Sequence, residues 1–252
     1  MSALSIPEPV SSSLFHRFLN RDVLAEQLAV DVAVQLREAV RRRGAASIVL
    51  SGGGTPAPFL AALGKQSLPW EKITVMLADE RCVPTDHPDS NERMIREALG
   101  HTGMRFVALG DLPPLLAGEG RGGGVNTVSG SNTPYLTSPR KQGEGLSSPF
   151  DVVVLGMGED GHTASLFPHH PALADTSGAR VLHITDSPKP PAERVTLSPS
   201  ALLSSRWIVL HITGDTKRKL YEAALKEGSV AELPIRCVLH QSEVPVSTYW
   251  AL

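Results

Sequence analysis

The chain is poor in cysteine, has no long apolar run and carries almost no net charge. Its 252 residues include two cysteines, Cys82 and Cys237, far apart in sequence. That excludes a disulfide-stapled secreted scaffold and suits free thiols in a reducing compartment. No apolar stretch approaches the ~18–20 residues of a membrane-spanning helix. The opening segment MSALSIPEPV lacks the basic start and apolar block of a secretory signal. A formal net charge of −2 gives no pull toward nucleic acid or an acidic membrane surface. The expectation is a cytoplasmic protein with neither nucleic acid nor membrane as partner. The two commonest nucleotide loops are missing as well. The glycine-rich run at 51–56 is not followed by Gly-Lys-Ser/Thr and is not G-x-G-x-x-G.

What is present reads as an ordinary globular chain. It is 41% apolar and 20% charged, and long enough to bury a sizeable core. The most informative stretch is FDVVVLGMGEDGHTASLFP, Phe150 to Pro168. Val152 to Leu155 is a continuous, β-branched apolar run, which suits a strand buried on both faces of a parallel sheet. Gly156-Met157-Gly158 then lets the backbone turn sharply and lie close to a ligand. Glu159, Asp160, Gly161, His162 and Thr163 follow at the carboxyl end of that strand, where open α/β sheets bind their ligands.

Residues 1 to about 20 are weakly patterned, with a short edge strand expected near Leu14–Phe18. From Asp22 to Arg43 apolar residues recur every four positions, predicting a helix with Asp22 as N-cap. Arg41, Arg42 and Arg43 then form a solvated helix end and Gly44 a C-terminal stop. Ser47–Leu50 predicts the first core strand. It runs into Ser51, Gly52, Gly53, Gly54 and Thr55, with Pro56 opening a helix. Free N–H groups, a helix dipole and two hydroxyls there make an anion cradle.

Lys72–Ala78 predicts a second strand, ending in the charged run Asp79-Glu80-Arg81. Arg81 offers a fork of donors to a phosphate. Asp89 with Glu92 resembles a capping box for a helix through Leu99. Further strands are expected at Arg105–Leu109, Val181–Thr185, Trp207–Ile212 and Cys237–His240. Residues 110–149 have no periodicity and read as a flexible insertion, with Arg140 and Lys141 its cations nearest in kind to anion ligands. Residues 186–198 cross a proline-stiffened turn. Its Arg194 is read as functional, whereas Lys189 is left open between ligand and exposed charge. Pro199–Leu203 reads as a short helix. Asp215 is the expected N-cap of a helix stopping at Gly228, and Lys217 in its first turn opposes the helix dipole, a reason to meet an anion.

Alternation of apolar strands with helices predicts one α/β domain, a doubly wound, mostly parallel Rossmann-like sheet with helices on both faces. The functional residues then gather along one sheet edge.

Four motifs carry a resemblance. SGGGTP at 51–56, DERCVP at 79–84 with HPDSN at 87–91, LGMGEDGHTASLFP at 155–168 and SPKPPAERVTLS at 187–198 closely resemble the 6-phosphogluconolactonase family in content, order and spacing. The resemblance covers nearly the whole chain except about 110–149, and the DGHTASLFP block is its most specific part. A related group of aminosugar-phosphate isomerases and deaminases shares the fold, a similar glycine loop and an Asp-Gly-His. It typically continues Ile-Ala-Phe-Asn, where this chain has Thr163-Ala164-Ser165-Leu166.

The resemblance implies hydrolysis of 6-phospho-D-glucono-1,5-lactone, a small sugar-phosphate substrate, in the oxidative pentose phosphate route. The residues suit that chemistry. His162 has the pKa range of a general base near neutrality, and Asp160 or Glu159 orients its imidazole. Backbone N–H groups around Gly156–Gly158 are placed for an oxyanion. The phosphate is expected on Ser51–Thr55, with Asp79 nearby and Arg81, Arg194 and Lys217 in support. No serine sits in a G-x-S-x-G elbow. The adjacent pair His169-His170 has no standard ligand spacing, so no metal and no cofactor are expected. A monomer or weak homodimer is expected. The alternative activity is aminosugar-6-phosphate isomerisation or deamination, with Asp79 or Glu80 moving a proton between C1 and C2.

Overall fold

The computed structural model describes residues 14–112 and 149–252. Strand β1 (Leu14–Arg17) leads into helix α1 (Arg21–Arg43), which buries Leu24, Leu28, Val32 and Leu36 along one stripe. That stripe is what four-residue spacing dictates. The N-cap of α1 is Asn20, whose side chain accepts from the Val23 N–H at 2.9 Å. Asp22, expected in that role, lies in the first turn. Gly44 closes the helix at φ 79° and donates to the Val40 carbonyl, the left-handed stop that glycine favours.

The chain continues through β2 (Ala46–Leu50), α2 (Ala57–Gly64), β3 (Ile73–Leu77), β4 (Asp79–Arg81), α3 (Asn91–Leu99) and β5 (Arg105–Phe106). After the break come β6 (Val152–Leu155), β7 (Val181–Ile184), β8 (Arg194–Leu197), α4 (Pro199–Leu203), β9 (Ile208–Thr213), α5 (Asp215–Ala224), α6 (Arg236–Leu239) and β10 (Val246–Ala251).

Seven strands form one sheet in the order β1-β10-β9-β6-β2-β3-β5, and every pairing in it is parallel. All four residues of β6 are buried, as are the first five of β9. Side chains alternate between faces along a strand, so both faces of the sheet centre are covered. α1 packs on β2, β6 and β10 and against α2. The doubly wound α/β reading therefore holds. From β2 the chain winds outward through β3 and β5, then returns to the other side of β2 at β6 and winds outward through β9 and β10. The carboxyl ends of β2 and β6 thus flank the point where the winding reverses, the place where such sheets hold ligands.

Four local expectations are corrected. Cys237–His240 is not a strand: Arg236–Leu239 forms helix α6, and the last strand is β10. A four-residue apolar run cannot be assigned by periodicity alone. The charged run 79–81 and the segment 194–197, read as loop and turn, are strands β4 and β8, which with β7 build a separate antiparallel sheet. The cap of α3 is Ser90, accepting from the Arg93 N–H at 3.1 Å, rather than an Asp89–Glu92 box. Gly214 precedes α5, Asp215 is its first residue, and the helix ends at Ala224, short of Gly228. The expected insertion, with Arg140 and Lys141, lies outside the described residues except at its two ends. No helix among the described residues is long and apolar enough to cross a membrane.

Candidate active site

Two loops build the site from the switch point. The first leaves β2 as Ser51–Pro56. At Gly52 a β-carbon would lie 1.8 Å from Asn91 Oδ1, so a side chain there would have to displace Asn91 or the loop. Asn91 in turn donates from Nδ2 to the Asp79 carbonyl at 2.9 Å. The glycine loop is thereby seated against the end of β4. Ser51 Oγ is buried and has no hydrogen-bond partner among the described residues.

The second loop leaves β6. The Gly158 N–H donates to the His162 carbonyl at 2.8 Å and the Gly161 N–H to the Gly158 carbonyl at 3.1 Å. Gly161 turns the chain at φ 81°, a conformation open to glycine. Thr163 Oγ1 donates to the Gly156 carbonyl at 2.9 Å. This coil fixes the His162 ring, whose far side rests on Phe167 with centroids 4.9 Å apart. The Gly158 N–H, expected to face an oxyanion, is therefore committed to the backbone. What Gly158 supplies is room for the imidazole.

His162 Nδ1 lies 2.5 Å from Asp160 Oδ1. Lys189 Nζ lies 3.2 Å from Asp160 Oδ2 and 3.3 Å from His162 Nδ1. With Nδ1–H directed at the carboxylate, Nε2 is left as the proton acceptor. Burial pushes the His162 pKa down and Lys189 adds to that, while Asp160 pulls it up; the net is below the ordinary imidazole value. The ring is thus neutral near pH 7, with the Nε2 lone pair able to accept a proton. Burial pushes the Asp160 carboxyl up, but His162 and Lys189 outweigh it and hold it below its usual range. Asp160 is the carboxylate that meets the ring. Glu159 stands exposed at the rim, where its charge acts on Lys217.

Glu80, deeply buried, serves neither substrate nor base: its carboxylate accepts from Ser90 Oγ and from the N–H groups of Asn91 and Glu92 at 2.7–3.1 Å. It caps α3 and interacts with that helix's positive end. Asp79 Oδ2 accepts from Ser165 Oγ at 2.6 Å and lies 3.9 Å from Arg194 Nη1.

Ser51, Gly52, Gly53, Gly54, Thr55, Asp79, Arg81, Gly156, Gly158, Glu159, His162, Arg194 and Lys217 all line one cleft of about 360 Å³. Asp160 lies behind the imidazole. Arg194 faces the cleft, but its guanidinium also holds three carbonyls of the proline loop: Nε donates to Pro191, and Nη2 to Lys189 and Pro190, at 3.1–3.2 Å. Arg81 Nη1 donates to the Asp89 carbonyl at 2.6 Å. Burial lowers the Lys217 pKa, consistent with a cation held inward.

Lys189, His211 and Asn91 also line the cleft and were not singled out as site residues from sequence. The proline loop hinted at Lys189. His211 sits inside the apolar run of β9, where nothing distinguishes it from core. Burial drives its pKa down to about 4, so it is a neutral imidazole in the cleft wall. Asn91 belongs to a loop motif, and its contact with Gly52 links segments 39 residues apart.

Residues 19–250 match the family described as glucosamine-6-phosphate isomerases/6-phosphogluconolactonase. A 6-phosphogluconolactonase of Rhizobium meliloti is 37% identical over 95% of this chain and 99% of its own length. One from Pseudomonas putida is 37% identical, over 99% of this chain and 96% of its own. The crystal structure of a 6-phosphogluconolactonase from Shewanella baltica superposes with a TM-score of 0.80 at 36% identity, covering 97% of this chain and all of that one.

Proposed function

We infer that the chain, which belongs to the glucosamine-6-phosphate isomerase/6-phosphogluconolactonase family, hydrolyses 6-phospho-D-glucono-1,5-lactone to 6-phospho-D-gluconate. It would do so as a step of the oxidative pentose phosphate route in the cytoplasm. The observation that carries the reading is His162, its Nδ1 held by Asp160 at 2.5 Å, set in the same cleft as a glycine-rich loop.

His162 Nε2 takes a proton from water as the water oxygen attacks C1. Asp160 holds the tautomer and stabilises the imidazolium that forms. The C1 carbonyl oxygen becomes an oxyanion. When the tetrahedral species collapses, the bond from C1 to the ring oxygen breaks and the imidazolium returns its proton to that oxygen. The lactone ring opens to a carboxylic acid, and the base is regenerated. The 6-phosphate is anchored by Ser51–Thr55, with Arg81 and Lys217 supplying positive charge. Arg194 serves chiefly to hold the proline loop, and with it Lys189, against His162. Anchoring at a remote phosphate positions C1 at the base.

The aminosugar alternative would need Asp79 or Glu80 as a mobile base, and the Glu80 carboxylate is taken up by Ser90, Asn91 and Glu92; Asp79 is the one that reaches the cleft. Its Oδ2 is instead engaged by Ser165 and lies beside Arg194, and relatives more than a third identical carry the lactonase name. The test generates the lactone in place by oxidising glucose 6-phosphate and follows its loss. The protein is expected to accelerate decay well above the spontaneous rate and to release no ammonia from glucosamine 6-phosphate. Decay at the blank rate would sink the lactonase reading, and ammonia release would establish the alternative.

A further inference from the structure

The antiparallel sheet has a second cluster of chemistry on the face away from the cleft. Cross-strand pairing sets this out. Arg81 pairs with Arg194 and His183 with Val195. One step further, the Cys82 N–H donates to the Glu193 carbonyl at 3.0 Å. Alternation along the strands puts Cys82, Glu193, Val195 and His183 on one face, and Asp79, Arg81 and Arg194 on the other, which lines the cleft.

On the first face, one donor atom each from Cys82, His183 and Glu193 lie within 4.8 Å of one another. Cys82 Sγ is 3.9 Å from His183 Nε2. In a tetrahedral zinc site, bonds of ~2.3 Å to sulfur and ~2.0–2.1 Å to nitrogen put those two ligand atoms about 3.5 Å apart. The measured separation is within easy rotation of that value, because His183 and Glu193 are exposed and Cys82 is half-buried. The donor set of thiolate, imidazole and carboxylate is the borderline mixture that selects zinc-class ions over calcium or magnesium.

We propose that Cys82, His183 and Glu193 form a three-ligand site for a single zinc-class divalent cation, with solvent as the fourth ligand. The local charge supports it. Glu193 beside it and Glu80 two positions back put negative charge next to Cys82. The negative groups that resist a bare thiolate favour a divalent ion, and the thiol proton leaves when the ion binds. The ion takes no part in hydrolysis, since its ligands face away from the cleft. It clips the end of the proline loop, through Glu193, to the end of β4 and to β7.

The test titrates chelator-treated, reduced full-length protein with cobalt(II), a zinc surrogate with a visible spectrum. One equivalent is expected to give a near-ultraviolet thiolate-to-cobalt band together with the visible bands of a tetrahedral ion. Cys82→Ser should abolish the near-ultraviolet band, and His183→Ala should weaken binding by at least about tenfold. Circular dichroism checks that both variants fold. Absence of the band in the native chain, its persistence in Cys82→Ser, or unchanged affinity in His183→Ala would each overturn the proposal. Cys237, the other free thiol, is half-buried and remote in sequence, and gives the same band only if the assignment to Cys82 is wrong.

Discussion

The imidazole of His162 occupies the space that a side chain at position 158 would need: a β-carbon on Gly158 would lie 2.1 Å from its ring. Gly158→Ala must therefore displace the ring or the loop. A shift of about 1 Å at a catalytic group costs on the order of 10²-fold in rate, whereas the overpacking costs about 1–3 kcal/mol of stability. The expected result is a folded variant whose kcat for lactone hydrolysis falls at least about tenfold. Full activity would mean that the ring position does not matter.

Asp160 and Lys189 pull the His162 pKa in opposite directions. Lys189→Met removes the cation that lowers it, so the pKa rises and the acid limb of the kcat/KM profile moves to higher pH. Asp160→Asn removes the anion that raises it, so that limb moves to lower pH while kcat drops, by about 10²–10⁴-fold. The pH–rate profiles of the two variants check both signs. Shifts in the same direction would contradict the arrangement.

At Gly52 the obstacle is Asn91, 1.8 Å from a built β-carbon. Gly52→Ala is expected to push the glycine loop off β4 and, with the loop proposed to anchor the phosphate rather than the reacting carbon, to raise KM with a smaller change in kcat. Asn91→Gly in the same chain makes room for the new methyl and should recover part of the KM. Steady-state kinetics on the single and double variants decide it.

His211 links pH to stability. Its pKa is about 4 in the folded chain against an ordinary 6.5, because burial opposes the charged form. Between those values the unfolded chain binds the extra proton. Its contribution is therefore fully present above pH 6.5 and is lost as pH falls toward 4. The difference corresponds to about 3 kcal/mol. Urea unfolding at a series of pH values should show that acid loss in the native chain and its absence in His211→Asn. Parallel curves would show that His211 does not titrate on unfolding.

Much of this architecture was legible before the structure, for physical reasons. β6 and β9 are buried on both faces, so their residues form near-continuous apolar runs. The loops after β2 and β6 need glycine where the Asn91 side chain and the His162 imidazole come close, and glycine is visible in a sequence. β4 and β8 were hidden because Asp79, Glu80, Arg81 and Arg194 are charged yet buried or half-buried through specific partners. Side-chain partnerships of this kind leave no periodic trace, whether short-range, as from Arg194 to Pro191, or long-range, as from Ser165 to Asp79. β10 was hidden for a similar reason: its Ser247 and Thr248 are buried between β1 and β9, against the usual preference of those residues. Lys189 could not be resolved either way, because its partner Asp160 lies 29 positions back and meets it only once the proline loop folds over the cleft.

The most direct test of the catalytic assignment is a lactone time course with native protein, His162→Gln and a protein-free blank, generating the lactone rapidly and subtracting spontaneous hydrolysis. The native chain is expected to accelerate decay clearly. His162→Gln, folded by circular dichroism, is expected to keep affinity for 6-phosphogluconate yet lose all but a small fraction of that acceleration. If His162→Gln hydrolyses the lactone at the native rate, the proton is moved by some other group and His162 is not the base.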